Sequence, residues 1–166
     1  MDRFDLAEHE IPPILYRVQY GESMTTYDSD RGLEARDIDT LYNEEEDLEF
    51  SDAVEGHLNW DRQVSMFISL FSDRRRAENW MLERHSRFRS RNCILLEIDM
   101  AVLRNSYVFC AEEIVDVFSL SINNGAQAGI DQEYLVVHYI PPCAIIRREF
   151  VDEIERGKSS SYCLQF

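Results

Sequence analysis

The sequence predicts an α+β fold built on antiparallel sheets, and three observations carry that reading. Short apolar runs rich in β-formers recur along the chain and turn back quickly. The helical patterns between them are few and brief, unlike the regular crossover helices of a doubly wound parallel sheet. No GxGxxG, P-loop or internal repeat occurs.

The elements follow in chain order. Pro12 and Pro13 block a helix, and "ILYRVQY" (14–20) then reads as a strand carrying Arg17. "GESMTTYDSDRGLEARD" is loop-like in its Gly, Ser, Asp and Thr content, and the acidic run "NEEEDLE" (43–49) reads as a solvated loop or a helix start. "SDAVEGHLNW" (51–60) predicts a short helix capped by Ser51 or Asp52, with Val54, His57 and Leu58 on its inner face. "VSMFISLF" (64–71) is a strand containing Ser69 and Phe71. Ser72 and Asp73 cap a longer helix, "SDRRRAENWMLERHSRF", whose Ala77, Trp80, Met81 and Arg84 share a face. The Arg74-Arg75-Arg76 cluster reads most simply as solvent face, although positive charge near a helix start leaves room for a binding role.

"NCILLEIDM" (92–100) and "SYVFC" (106–110) are strands, "AEEIVDVFSL" (111–120) a brief amphipathic helix and "NNGAQAG" (123–129) a flexible turn. "EYLVVHYI" (133–140) is a strand stopped by Pro141-Pro142, and "CAIIRREFV" (143–151) resumes as another. This divides the chain into an N-terminal extension (1–13), one domain (14–151) and a loosely ordered tail (152–166).

Bulk properties narrow the function. The chain has 166 residues, enough for one domain with a single core and little room for two. A net charge of -15 argues against general affinity for nucleic acid or an anionic membrane, while allowing one anionic ligand held by a local Arg. No apolar run reaches the ~20 residues of a membrane span, and "MDRFDLAEHEIPP" lacks the regions of a secretory signal. An intracellular, cytoplasmic protein, or one delivered into a target cell, is expected. Cys93, Cys110, Cys143 and Cys163 form no CxxC and no zinc spacing, so reduced thiols and no metal are expected. The final "CLQF" has the outline of a prenylation signal, with polar Gln165 where an aliphatic residue is usual.

Four polar positions stand where core packing alone would not choose them: Arg17 mid-strand, His57 on a helix, Ser69 mid-strand, and Glu133 opening a strand with Asp131 two residues before it. Singly, each has a bland explanation: a solvent-facing Arg, a satisfied core His, a small strand Ser. Asp131 and Glu133 are harder to dismiss, because strand alternation aims both at one face, about 7 Å apart.

The stretch "QEYLVVHYIPPCAIIRR" resembles the glutamate-bearing segment of the ADP-ribosyltransferases of the cholera and pertussis toxin group. "LYR" followed by "YDSDRGLEARD" resembles that family's first strand and loop, "GHLNW" its His-Leu pair, and "SMFISLFSDRRRAENWMLERH" its Ser-Thr-Ser strand and following helix. The likeness runs from about residue 14 to 150. The "HLNW" and "EYL" stretches also resemble a fungal domain family of unassigned function.

The resemblance implies two small, mostly antiparallel sheets with short flanking helices, and NAD bound as substrate in the cleft between them. Glu133 would hold the ribose 2′-OH and stabilise the oxocarbenium-like state, as in glycoside hydrolysis. Ser69 would position Glu133, Arg17 would pair with phosphate or ribose oxygens, and His57 would hydrogen-bond the ribose. Asp131 would receive the proton of the incoming nucleophile, a protein side chain. The family's Ser-Thr-Ser is Ser69-Leu70-Phe71 here, which removes two hydroxyls and offers Phe71 either to the core or to the nicotinamide ring. Mono-ADP-ribosyl transfer is thus the leading expectation. NAD hydrolysis and a non-catalytic binding module on the same fold are its rivals.

Overall fold

The computed structural model describes residues 6–7, 10–43, 45–61, 64–103 and 105–163, with side chains only as far as 158. The elements are β1 (Ile14–Gln19), β2 (Thr26–Asp28), β3 (Gly32–Glu34), α1 (Asp47–Leu58), β4 (Phe67–Phe71) and α2 (Arg74–Ser86). They continue as β5 (Ile94–Asp99), β6 (Val108–Cys110), α3 (Ala111–Phe118), α4 (Asn124–Gln127), β7 (Glu133–Val137), β8 (Tyr139–Ile140), β9 (Ile145–Phe150) and α5 (Val151–Cys163).

The strands form a six-stranded sheet in the order β6-β7-β4-β1-β5-β9 and a three-stranded sheet, β2-β3-β8, with every pairing antiparallel. Strand alternation sorts the side chains of the larger sheet into cores on its two faces. Leu15, Ile68, Leu70, Leu96, Ile98 and Val136 pack with Leu33, Ala35 and Ile140 of the smaller sheet. On the other face Phe67, Phe109 and Leu135 meet Phe50, Val54 and Leu58 of α1 and Ile114 of α3. There too, Val18 and Leu95 meet Ala77 and Met81 of α2 and Val151 and Ile154 of α5.

The smaller sheet is closed by a near-contact that only glycine allows. A Cβ on Gly32 (φ 90°) would lie 2.1 Å from the Ile140 carbonyl oxygen.

Several expectations are corrected. Helix α1 begins at Asp47 rather than Ser51, because the acidic run supplies a first turn whose negative charge suits the helix N-terminus. Ser51 is buried within it. The stretch 133–140 is not one strand: His138 takes φ 62°, and the chain leaves the larger sheet to pair Tyr139 and Ile140 with β3. The turn at 123–129 contains a short helix, capped by the Asn123 side chain accepting from the Ala126 N–H at 2.9 Å. Residues 152–163, expected to be loosely ordered, are helical, since Val151 and Ile154 share a face that α2 covers. Leu164, Gln165 and Phe166, which carry most of the "CLQF" motif, lie outside the described residues. Cys93, Cys110 and Cys143 are free thiols.

Candidate active site

The cleft opens where two central strands part. Strands β1 and β4 pair through Tyr16 and Phe71. Beyond that point no ladder satisfies the facing backbone, and Arg17 enters the gap to donate Nη1 to the Ser69 carbonyl at 3.0 Å. Its Nη2 donates to Ser23 Oγ at 2.9 Å, and its Nε reaches Gln19 Oε1 at 3.4 Å. Burial draws the Arg17 guanidinium below the usual arginine range, while Tyr20 and Glu133 favour its charge.

Strands β4 and β7 stay paired, and their register builds one wall of the cleft. Phe71 lies opposite Glu133 and Ser69 opposite Leu135. Ser69 and Glu133 are therefore diagonal neighbours on one face, within reach of a hydroxyl–carboxylate bond. Burial pushes the Glu133 carboxyl above the usual carboxylate range, against the pull of the Ser69 hydroxyl and the Arg76 and Arg17 guanidinium groups.

Behind Ser69 stands a relay of neutral groups. His57 Nε2 lies 2.7 Å from Ser69 Oγ, and Nδ1 lies 2.7 Å from Ser65 Oγ. Burial, followed by the charge of Arg17, lowers the His57 pKa to about 4, so the imidazole is neutral at pH 7. An ionised Glu133 accepts a hydrogen bond from the Ser69 hydroxyl, which leaves Ser69 Oγ to accept from His57 Nε2–H. Nδ1 then accepts from the Ser65 hydroxyl, whose oxygen also accepts from the Phe67 N–H at 3.1 Å. Ser65 and His57 thus brace the Ser69 hydroxyl that faces Glu133.

Two adjoining cavities, of about 340 and 300 Å³, share Arg17, Tyr20, Trp60 and Ser69. The first also takes in Phe71, Arg76, Trp80 and Glu133; the second takes in Ser23, Arg36 and His57. Each alone falls in the range of small-molecule sites. Trp60, in a left-handed backbone conformation (φ 56°), stands at the junction with its ring centroid 5.8 Å from that of Trp80. The α4 lip is pinned to the end of α1, where Asn59 Oδ1 accepts from the Asn123 N–H at 2.8 Å. Among the described residues, no group of three or more His, Cys, Asp and Glu side chains is arranged to hold a metal. No helix among them is long and apolar enough to cross a membrane.

Arg17, His57, Ser69, Phe71 and Glu133 are brought together. Asp131 is not: it is exposed on a 3-10 turn (Ile130–Gln132) before β7, outside both cavity linings. The ladder with β4 begins at Glu133, so period-two geometry never extends back to Asp131. Sequence reasoning missed Ser65, Trp60 and the placement of Arg76. The alternation Ser65-Phe67-Ser69-Phe71 was the available signal for the first.

Two antiparallel sheets and a few helices make a mixed α+β fold similar to that of the solved structure EcPltA, but the cleft is not the expected gap between the sheets: it lies where β1 and β4 part, and no residue of β2, β3 or β8 lines it. That likeness has a TM-score of 0.54 at 14% identity and covers 82% of this chain and 74% of that one. The chain belongs to the family described as Domain of unknown function (DUF7587), whose model matches residues 10–154. No curated protein matches it.

Proposed function

We propose that this protein cleaves the nicotinamide–ribose bond of NAD and transfers ADP-ribose to a protein side chain. The observation that supports this most is the convergence of Arg17, His57, Ser69 and Glu133 on one cleft. In this reading the C1′–N bond breaks with its electron pair leaving on nicotinamide. The ionised Glu133 carboxylate accepts the ribose 2′-OH and stabilises the cationic sugar. The acceptor nucleophile then bonds to C1′ and gives up its proton to water or to the exposed Asp131, which precedes β7. The raised proton affinity of Glu133 is an obstacle that the neighbouring cations and the Ser69 hydroxyl offset. The resemblance of the sequence to the toxin group and the fold shared with EcPltA support the same reading.

One observation favours a second reading. With Asp131 exposed and outside the cavity lining, water is the simplest acceptor, and the activity is then NAD hydrolysis. Incubation with NAD labelled in its ADP-ribose part, with and without cell lysate, separates the two. Label on protein supports transfer, and free nicotinamide without it supports hydrolysis. Neither signal from folded protein would defeat both.

A further inference from the structure

The diphosphate of NAD needs a cation, all the more in a chain of net charge -15. The resemblance assigns that task to Arg17, but the geometry there argues otherwise. All three guanidinium nitrogens of Arg17 already serve the fold, on the Ser69 carbonyl, Ser23 Oγ and Gln19 Oε1. Turning Arg17 towards a ligand would orphan the Ser69 carbonyl where β1 and β4 part.

Two other cations line the cleft. Arg36 is exposed in the second cavity, which also holds Glu22 and Asp61, where water and the two acids weaken its field. Arg76 is half-buried in the first cavity, with Glu133 and Phe71. Its guanidinium lies 5.6 Å above the Phe71 ring and donates Nη1 to the Ala128 carbonyl at 3.1 Å. Its Nε and Nη2 make no hydrogen bond among the described residues. The guanidinium occupies a slot over Gly129, where a Cβ would lie 1.4 Å from Nη2. Ring below, carbonyl at one end and glycine at the side hold a planar, two-pronged donor with its other edge unused.

We propose that Arg76 is the anion contact of this cleft, pairing with the nicotinamide-side phosphate of NAD, and that Arg17 is a positioning residue for β4. The inference rests on the reading of the site as an NAD cleft. That phosphate is separated from the ribose ring by one methylene carbon, so a cation beside Glu133 and Phe71 is at a suitable remove. Arginine suits the task better than a lysine would, because its fork matches two phosphate oxygens.

The test compares two ligands that differ only by that phosphate, nicotinamide mononucleotide and nicotinamide riboside. Each is titrated by the fluorescence of Trp60 and Trp80 into wild type, Arg76→Gln, Arg76→Lys and Arg36→Gln, with NAD titrated into wild type. Wild type should prefer the mononucleotide by about tenfold or more. Arg76→Gln should abolish the preference whatever its riboside affinity becomes, Arg76→Lys should keep part of it, and Arg36→Gln should keep it whole. The preference is a ratio within each variant, so a general loss of folded protein does not imitate the effect. A wild-type preference retained in Arg76→Gln overturns the role of Arg76 and leaves the NAD reading standing. Wild type that binds neither NAD nor the mononucleotide overturns both.

Discussion

Arg17 and Arg74 are both half-buried arginines, and the contrast between their surroundings separates structure from chemistry. Arg74 spends each of its nitrogens on a carboxylate: Nε on Glu78 at 2.9 Å, Nη1 on Glu97 at 3.1 Å and Nη2 on Glu149. Arg147 adds a second cation to Glu149 at 3.0 Å. That cluster ties α2 to β5 and β9 and is complete within itself. Arg17 instead meets neutral oxygens, and the carboxylate it influences, Glu133, borders an open cavity and is held by a hydroxyl. Charge satisfied from within stabilises the fold; a carboxylate such as Glu133, left without a direct ion pair beside a cavity, is available to a ligand.

Substituting one member of each cluster should sharpen the contrast. The largest effect falls on Glu133. Glu133→Gln should reduce nicotinamide release from NAD by at least about 10²-fold, without loss of folded protein. Burial raises the proton affinity of Glu133, so its contribution to stability is full below the usual Glu pKa and is lost as pH rises through the folded value. At neutral pH the Gln variant should therefore unfold at the same urea concentration as wild type or a higher one. In wild type, NAD cleavage should fall away on the acid side at a pH above that of an ordinary Glu.

Arg74→Met should show the opposite pattern. Three carboxylates lose their common cation, and with partial exposure taken into account the cost is about 2 kcal/mol by urea unfolding. Cleavage per folded molecule should change little.

His57 comes next. Its folded pKa is depressed to about 4, so its contribution to stability is full above 6.5 and is lost as pH falls through 4. Wild type should lose roughly 1–3 kcal/mol more than His57→Gln across that interval, and parallel pH profiles would refute a buried neutral imidazole. The smallest effect is expected at Ser65→Ala. Losing the donor to His57 Nδ1 should lower kcat about three- to tenfold with KM nearly unchanged, roughly 1 kcal/mol of orientation.

How much of this was legible in the sequence differs by element. Strands β1, β5 and β7 could be read because their apolar residues carry a local signal, and β4 because β-branched and aromatic residues cluster there. The nearness of Ser69 to Glu133 could not be derived from either strand alone. It came from the family resemblance and depends on a register, Phe71 opposite Glu133, that only the ladder fixes.

Asp131 was misplaced because where a strand begins depends on its partner. The break at His138 was missed because a left-handed residue other than glycine leaves little trace in sequence. Helix α5 was missed because its polar composition hides two apolar anchors, Val151 and Ile154, that need α2 to bury them. The three consecutive arginines illustrate the same limit. Packing of Ala77 and Met81 sets the rotation of α2, and that rotation sends Arg74 to the ion cluster, leaves Arg75 exposed and turns Arg76 into the cleft.

The most direct measurement is a crystal structure of this chain with a carbocyclic NAD analogue whose nicotinamide bond cannot break. A Glu133 carboxylate oxygen should lie within about 3 Å of the 2′-OH, with the ring system between Trp60 and Phe71. An analogue seated away from Arg17, Ser69 and Glu133, or none bound at saturating concentration, would contradict the reading of the site as an NAD cleft.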